Sequence, residues 1–253
     1  MIGGRNWLCL LISINFGLCL SIDKNKRDVK KTQKISVIIP CAYMHAKHLY
    51  QLLTHIEQQT MLPDEVIISL GEAHRVQPQV IKTIENKKWA FPCKLLKSNA
   101  INYVSKNRNI GCRHATGDVL VLQDADDLPH PQRIEVIKYF FENYQVDFLM
   151  HHFIMANTPK DAANFTKIPD LELISIDWGT DFESMFSQHK FTNGEIAISK
   201  DLFSQMQWIE SMRRQEDTEF NQRVFKTFKQ LLLVEEPLLC YRIYLSAAKK
   251  QNL

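Results

Sequence analysis

The chain alternates between two periodicities, and that alternation leaves few folds open to it. Lys34–Pro40 is a short β-branched run stopped by a proline, and Glu65–Ser69 and Val119–Gln123 are runs of the same kind, the form of strands buried on both faces. Between the first two, Leu49, Leu52, Leu53 and Ile56 recur at helical spacing across His45–Thr60, until Pro63-Asp64 breaks the chain. Strand, helix, strand is a parallel βαβ unit. A helix over 79–88, a strand over 93–97 and a helix over 105–115 carry the alternation to Val119. Pro129–Tyr144 then has Ile134, Val136, Ile137, Phe140 and Phe141 on one helical stripe, and Asp147–Ile154 returns to strand. Beyond it we expect an irregular excursion over 155–190, a strand over 191–199, helices over 200–208 and 217–228, and a last strand over 230–234. The expected fold is a doubly wound α/β sheet, mostly parallel, with helices on both faces.

The 253 residues suffice for one sizeable α/β domain and are too few for two. The first 22 stand apart. Trp7–Ile22 is almost wholly apolar and Asp23–Lys31 is heavily charged. The apolar run is short for a spanning helix of roughly 20 residues and close to the core of a signal peptide. The basic cluster on its C-terminal side would stay cytoplasmic if the segment remained in the membrane. Signal peptide and membrane anchor both stay open, so the expected location is the secretory pathway or a membrane, on either side. Residues 23–33 form a basic linker, 34–245 the domain and 246–253 a tail. Lys+Arg 31 against Asp+Glu 28, a net charge of +3, is too even for a broad basic footprint, which argues against nucleic acid as a partner.

The strand at Val119–Gln123 ends abruptly in Asp124-Ala-Asp126-Asp127. Asp124 and Asp126 are two apart, so an extended segment would aim both to one side. In an open α/β sheet ligands bind outside the carboxyl ends of the strands, where this cluster falls. Like carboxylates repel unless a positive charge intervenes, oxygen-only ligands favour Mg²⁺ or Mn²⁺ over zinc, and such an ion would neutralise a departing diphosphate. The competing reading is a solvated acidic turn that caps a helix beginning near Pro129. Glu216-Asp217 poses the same choice: a general base for an acceptor hydroxyl, or acids favoured at a helix N-terminus.

The block Asn107-Arg-Asn-Ile-Gly-Cys-Arg-His-Ala-Thr-Gly-Asp-Val-Leu-Val-Leu-Gln-Asp-Ala-Asp-Asp127 resembles the family 2 glycosyltransferases of GT-A fold, whose pattern is an A-R-N-x-G helix, an A-x-G-D turn, an apolar strand and a D-A-D-D ending. Ser36–Pro40 resembles the family's opening strand, with Tyr43 where an aromatic often stands, Arg213–Phe220 its E-D-x-E-F segment and Leu239–Arg242 its closing Y-R. The resemblance spans about residues 34–245. It implies a GT-A, Rossmann-like sheet, a nucleotide-sugar donor (a UDP-sugar foremost), a glycan, lipid or protein hydroxyl acceptor, Mn²⁺ or Mg²⁺, and transfer with inversion. It implies donor contacts from Pro40, Tyr43, Glu72, Arg108 and Asp124, a metal on Asp126 with Asp124, Asp217 as base beside Glu216, and acceptor-side contacts at Asn193 and Gly194. Asp127 is expected behind the metal ligands, and Arg108 either reaches the nucleotide or anchors its helix. The family's second strand usually ends in D-D-G-S, whereas this chain reads Ile68-Ser-Leu-Gly-Glu-Ala73, with Glu72 the nearest substitute. That departure keeps a second reading open, a protein of this fold that binds a nucleotide sugar or glycan without turnover. The Q-x-x-R-W signature of processive synthases is missing, which implies addition of a single sugar.

Overall fold

The computed structural model describes residues 10–13, 25–166, 171, 173–178, 181–182, 184 and 192–245. Strands β1 (Leu10–Ser13), β2 (Ile35–Cys41), β3 (Glu65–Leu70), β4 (Cys93–Lys97) and β5 (Val119–Leu122) make up the first half, with helices α1 (Leu49–Glu57), α2 (Pro78–Asn86) and α3 (Val104–His114) between them. The second half contains β6 (Leu128–Pro129), α4 (Arg133–Asn143), β7 (Phe148–Ala156), α5 (Pro159–Phe165), β8 (Leu173–Asp177), β9 (Ile196–Ser199), α6 (Lys200–Gln205), α7 (Glu216–Thr227) and β10 (Leu231–Arg242). One sheet runs in the order β1-β8-β10-β7-β9-β5-β2-β3-β4, and β6 pairs with β10 off that path.

From β2 to β5 the first half is parallel throughout: β2 lies between β3 and β5, and β4 extends the edge beyond β3. Alternate residues feed two cores, as the pleat requires. Val37, Ile39, Val66, Ile68, Val119 and Val121 meet the apolar stripes of α1, α2 and α4, whereas Ile38, Ile67, Leu120 and Leu122 meet α3, α6 and α7. Both faces are covered, and for that reason the strands read as continuous apolar runs. Helix α3 lies very close to the sheet: a Cβ at Gly111 would stand 2.5 Å from Ile38 Cγ2.

The second half is mixed. Strand β9 is antiparallel to both its neighbours, β5 and β7, while β7 and β10 are parallel and β8 is antiparallel to β10. The stretch expected to be irregular contains α5, started by a reciprocal Thr158–Asp161 capping box, and β8. The strand expected from 191 begins at Ile196, because Asn193–Glu195 form a 3₁₀ turn. Strand β10 runs on through Arg242, past a bulged register around Pro237. The basic linker is laid along the end of α4: Arg27 N donates to Asn143 O at 2.7 Å, Lys31 N to Glu142 O at 3.0 Å, and Lys30 Nζ pairs with Glu142 at 2.8 Å. Leu10–Ser13 pairs antiparallel with β8, and the rest of the apolar N-terminal segment and the tail 246–253 lie outside the described residues. Among the described residues no helix is long and apolar enough to cross a membrane.

Candidate active site

The carboxyl ends of β2 and β5 and the N-terminal ends of α3 and α7 enclose a cleft of about 270 Å³, whose walls include Pro40, Arg108, Asp124, Asp126, Glu216 and Asp217. The acidic cluster at its floor is a turn, with Asp127 N donating to Asp124 O at 3.3 Å, and not the extended segment expected from residue spacing. Asp124 and Asp126 both face the cleft nonetheless. They do not cap the next helix: α4 begins at Arg133, and its N-cap is Gln132.

Arg108 ties the two sides together. Its neighbours on α3 hold the helix in place: Asn107 accepts from Ser69 Oγ at 3.1 Å and donates to Cys41 O at 3.2 Å, and Asn109 donates to Trp208 O at 2.8 Å. Between them the Arg108 guanidinium, 2% exposed, donates from Nη1 to Asp217 Oδ1 and from Nη2 to Asp124 Oδ1 at 3.4 Å, with Glu216 Oε1 4.0 Å away. Burial pushes the Asp124 and Asp217 carboxyls up and Arg108 draws both back; the charge of Asp126 lifts Asp124 further, and that of Asp124 lifts Asp217. The α7 N-cap is Gln215 in the left-handed region (φ 58°), so Asp217 sits inside the first turn. Its Oδ2 accepts from Asn193 N at 3.3 Å, and its bonds therefore go across the cleft.

Asp126 Oδ2 meets His45 Nδ1 at 2.8 Å, and Asp126 O accepts from Arg242 Nε. Asp127 points the other way, buried, with Oδ1 accepting from Arg242 N at 3.0 Å; burial and the two neighbouring aspartates push its carboxyl well above the usual range. Asn193 and Gly194 are buried behind the carboxylates: a Cβ on Gly194 would stand 3.1 Å from Asp124 Oδ2, and Thr192 is the member of that turn that reaches the cleft wall. Tyr43 and Glu72 lie outside the wall, in a cluster of their own. Arg75 stacks 3.7 Å above the Tyr43 ring, donates to its hydroxyl at 2.6 Å and pairs with Glu72, which sits at φ 52°. Of two aromatics that could offer a sugar ring a flat surface, Trp178 packs on Tyr144 in the core, and Phe191 lies outside the described residues. Sequence reasoning read His45 as structural or surface and passed over Gln123 and Arg133; for His45 a signal was there, two residues past Tyr43 in the turn that follows β2. Among the described residues no group of three or more His, Cys, Asp or Glu side chains is gathered to hold a metal.

A family model described as Glycosyl transferase family 2 matches residues 36–203. An uncharacterized glycosyltransferase of Methanocaldococcus jannaschii is 24% identical over 87% of this chain and 76% of its own. An uncharacterized glycosyltransferase of Haemophilus influenzae is 26% identical over 46% of this chain, and the match spans 38% of that protein. Among solved structures, S. aureus TarS 1–349 in complex with UDP superimposes with a TM-score of 0.64, and its complex with UDP-GlcNAc with 0.66. Both are 16% identical and cover 83% of this chain, which spans about three fifths of theirs. They share the GT-A arrangement of sheet and helices described above.

Proposed function

The chain belongs to glycosyl transferase family 2, and we propose that it transfers one sugar from a nucleoside-diphosphate sugar to a hydroxyl acceptor with inversion. The observation that carries this reading is the buried cation Arg108, which joins a carboxylate of the strand-end cluster to the carboxylate at the head of α7 within one cleft. A glycosyl transfer needs two such poles: one where the diphosphate departs, and one where the attacking hydroxyl loses its proton.

In this reading the nucleotide lies against the end of β2 at Pro40, with Tyr43 and Glu72 beyond it, and its ribose and diphosphate run toward Arg108 and Asp124. The acceptor hydroxyl approaches from the side walled by Thr192, with Asn193 and Gly194 behind it. Asp217 takes the hydroxyl proton as the oxygen bonds to the anomeric carbon, and the bond to the diphosphate breaks with its electron pair on the departing oxygen. Asp217 is suited to the role because burial raises its proton affinity while the Arg108 charge offsets part of that rise. Glu216 stands beside it on the same turn of α7. Asp126 and Asp124 fit a divalent ion: both open to the cleft, and their mutual repulsion is relieved by a cation. Two carboxylates completed by substrate phosphates are a common way to bind Mg²⁺. Bound there, Mn²⁺ or Mg²⁺ would supply charge neutralisation at the diphosphate. UDP and UDP-GlcNAc in the TarS complexes support a UDP-sugar as donor, and the apolar N-terminal segment supports delivery to the secretory pathway or a membrane.

One observation favours a second reading, binding without turnover: Glu72, the nearest substitute for the family's base-reading acid, is already paired with Arg75. Hydrolysis of a panel of nucleotide sugars with Mn²⁺, Mg²⁺ or EDTA separates the two, run on the wild type beside Asp126→Ala and Asp217→Asn. Metal-dependent release of one nucleotide, abolished by Asp126→Ala, supports transfer. Tight binding with no turnover supports the second reading.

A further inference from the structure

Arg133 does not line the cleft and touches none of its carboxylates, yet its guanidinium is 1% exposed and bridges three elements. Nη2 donates to Leu122 O at 2.9 Å and to Gly194 O at 2.8 Å, Nη1 to Gln123 Oε1 at 2.7 Å, and Nε to His151 Nε2 at 2.9 Å. His151 accepts that bond because its Nδ1 faces His152 O at 2.8 Å and carries the ring hydrogen. All four partners are neutral. An arginine is a costly side chain to bury on neutral acceptors, and a planar fork is the side chain that can fix several carbonyls at defined angles.

Two of these bonds end one step from the cleft. Gln123, oriented by Nη1, donates its own amide to Asp124 O at 3.0 Å and to Asp127 O at 3.3 Å, so it clamps both ends of the acidic turn. Gly194, held by Nη2, lies in the turn whose Asn193 N donates to Asp217 Oδ2 and whose Asn193 Oδ1 accepts from Asn221 of α7 at 2.9 Å. A single side chain thus spans from the end of β5, which carries Asp124, to the 192–195 turn, which holds Asp217.

We propose that Arg133 is a positioning residue that sets the placement of Asp217 relative to Asp124, by fixing the acidic turn through Gln123 and the opposing turn through Gly194. Its effect on catalysis rests on the transfer reading given above; its effect on geometry does not.

The test uses the full chain with Arg133→Met, which keeps the stem and removes the donors, and Arg133→Lys, which restores charge and one nitrogen. In the crystal structure of Arg133→Met the 192–195 turn should move about 1 Å or more from Asp124, a displacement large enough to cost roughly 100-fold in rate. In kinetics on folded protein, kcat should fall by that factor while donor KM stays within about threefold, the signature of an interaction made only in the transition state. Arg133→Lys should recover part of kcat. Should Arg133→Met fail to fold, Gln123→Met severs the acidic-turn branch alone and should give the same split at smaller size. A turn that stays in place, or a loss confined to the folded fraction with kcat per folded molecule unchanged, overturns the proposal. If the wild type turns over no donor, the transfer reading fails by itself and the crystallographic displacement still decides the role of Arg133.

Discussion

Arg108 and Asp217, 109 positions apart in sequence, are joined by a direct ion pair from Nη1 to Oδ1 in which the guanidinium is almost fully enclosed. The same guanidinium faces Asp124 and Glu216, so it is the common counter-charge for three acids. Arg108→Met leaves those acids facing one another without it. Removing one partner of a buried pair typically costs about 3 kcal/mol or more. We expect a loss of that order in urea denaturation at pH 7, shrinking at pH 4 because burial raises the proton affinity of Asp124 and Asp217. An equal loss at both pH values would mean that Arg108 stabilises by packing alone.

Asp217→Asn tests the base with a side chain of the same size. The single amide oxygen can accept from Arg108 Nη1 or from Asn193 N but not from both, and it takes up no proton, so turnover is measured per folded molecule. Loss of a general base costs roughly 100- to 10,000-fold in turnover, and we expect a fall in that range with UDP affinity by calorimetry little changed. A loss of UDP affinity equal to the loss of turnover would place Asp217 in donor binding instead.

Gly111→Ala probes how tightly α3 is seated on β2. The new methyl would lie 2.5 Å from Ile38 Cγ2, with the sheet behind it. Overpacking of this kind costs about 1–3 kcal/mol, and because α3 also carries Arg108, activity should fall along with stability. A variant as stable as the wild type would show that helix and strand separate freely at this point.

The first half of the fold and the acidic pole of the site were legible in the sequence for the same reason. Parallel strands buried on both faces are written as continuous apolar runs, and a carboxylate cluster at the end of such a run has few structural uses. Strands β8 and β10 were harder. Leu173–Asp177 is short and lies beside a stretch of polar residues, and β10 is interrupted by Glu235-Glu236-Pro237, where the register slips, so periodicity could not carry it to Arg242. The contacts of His45 with Asp126 and of Arg133 with Gly194 are long-range and specific to single side chains, and no periodicity encodes them. The turn geometry of Asp124–Asp127 was missed because residue spacing alone assumes an extended backbone.

Glu195 yields the sharpest pH prediction. It is fully buried within the turn that Arg133 holds, and one carboxylate oxygen accepts from Thr192 N at 3.2 Å and Oγ1 at 3.0 Å. Burial pushes its carboxyl from 4.5 up to about 8, with the charges of Asp124 and Asp217 adding to the rise. The folded state therefore holds a proton that the unfolded chain releases. Stability from this group is fully present below pH 4.5 and is lost as pH rises toward 8. Glutamine keeps the oxygen that accepts from Thr192 and carries no titrating proton, so Glu195→Gln should stay within about 1 kcal/mol of the wild type at pH 5 and exceed it at pH 8 by on the order of 4 kcal/mol. Urea denaturation of both proteins at pH 5, 6, 7 and 8 measures the divergence. Curves that stay parallel would mean that Glu195 is ionised in the folded protein, placing a further negative charge behind Asp124 and Asp217. A diverging pair would mean that Glu195 adds no negative charge to the acids that Arg108 faces.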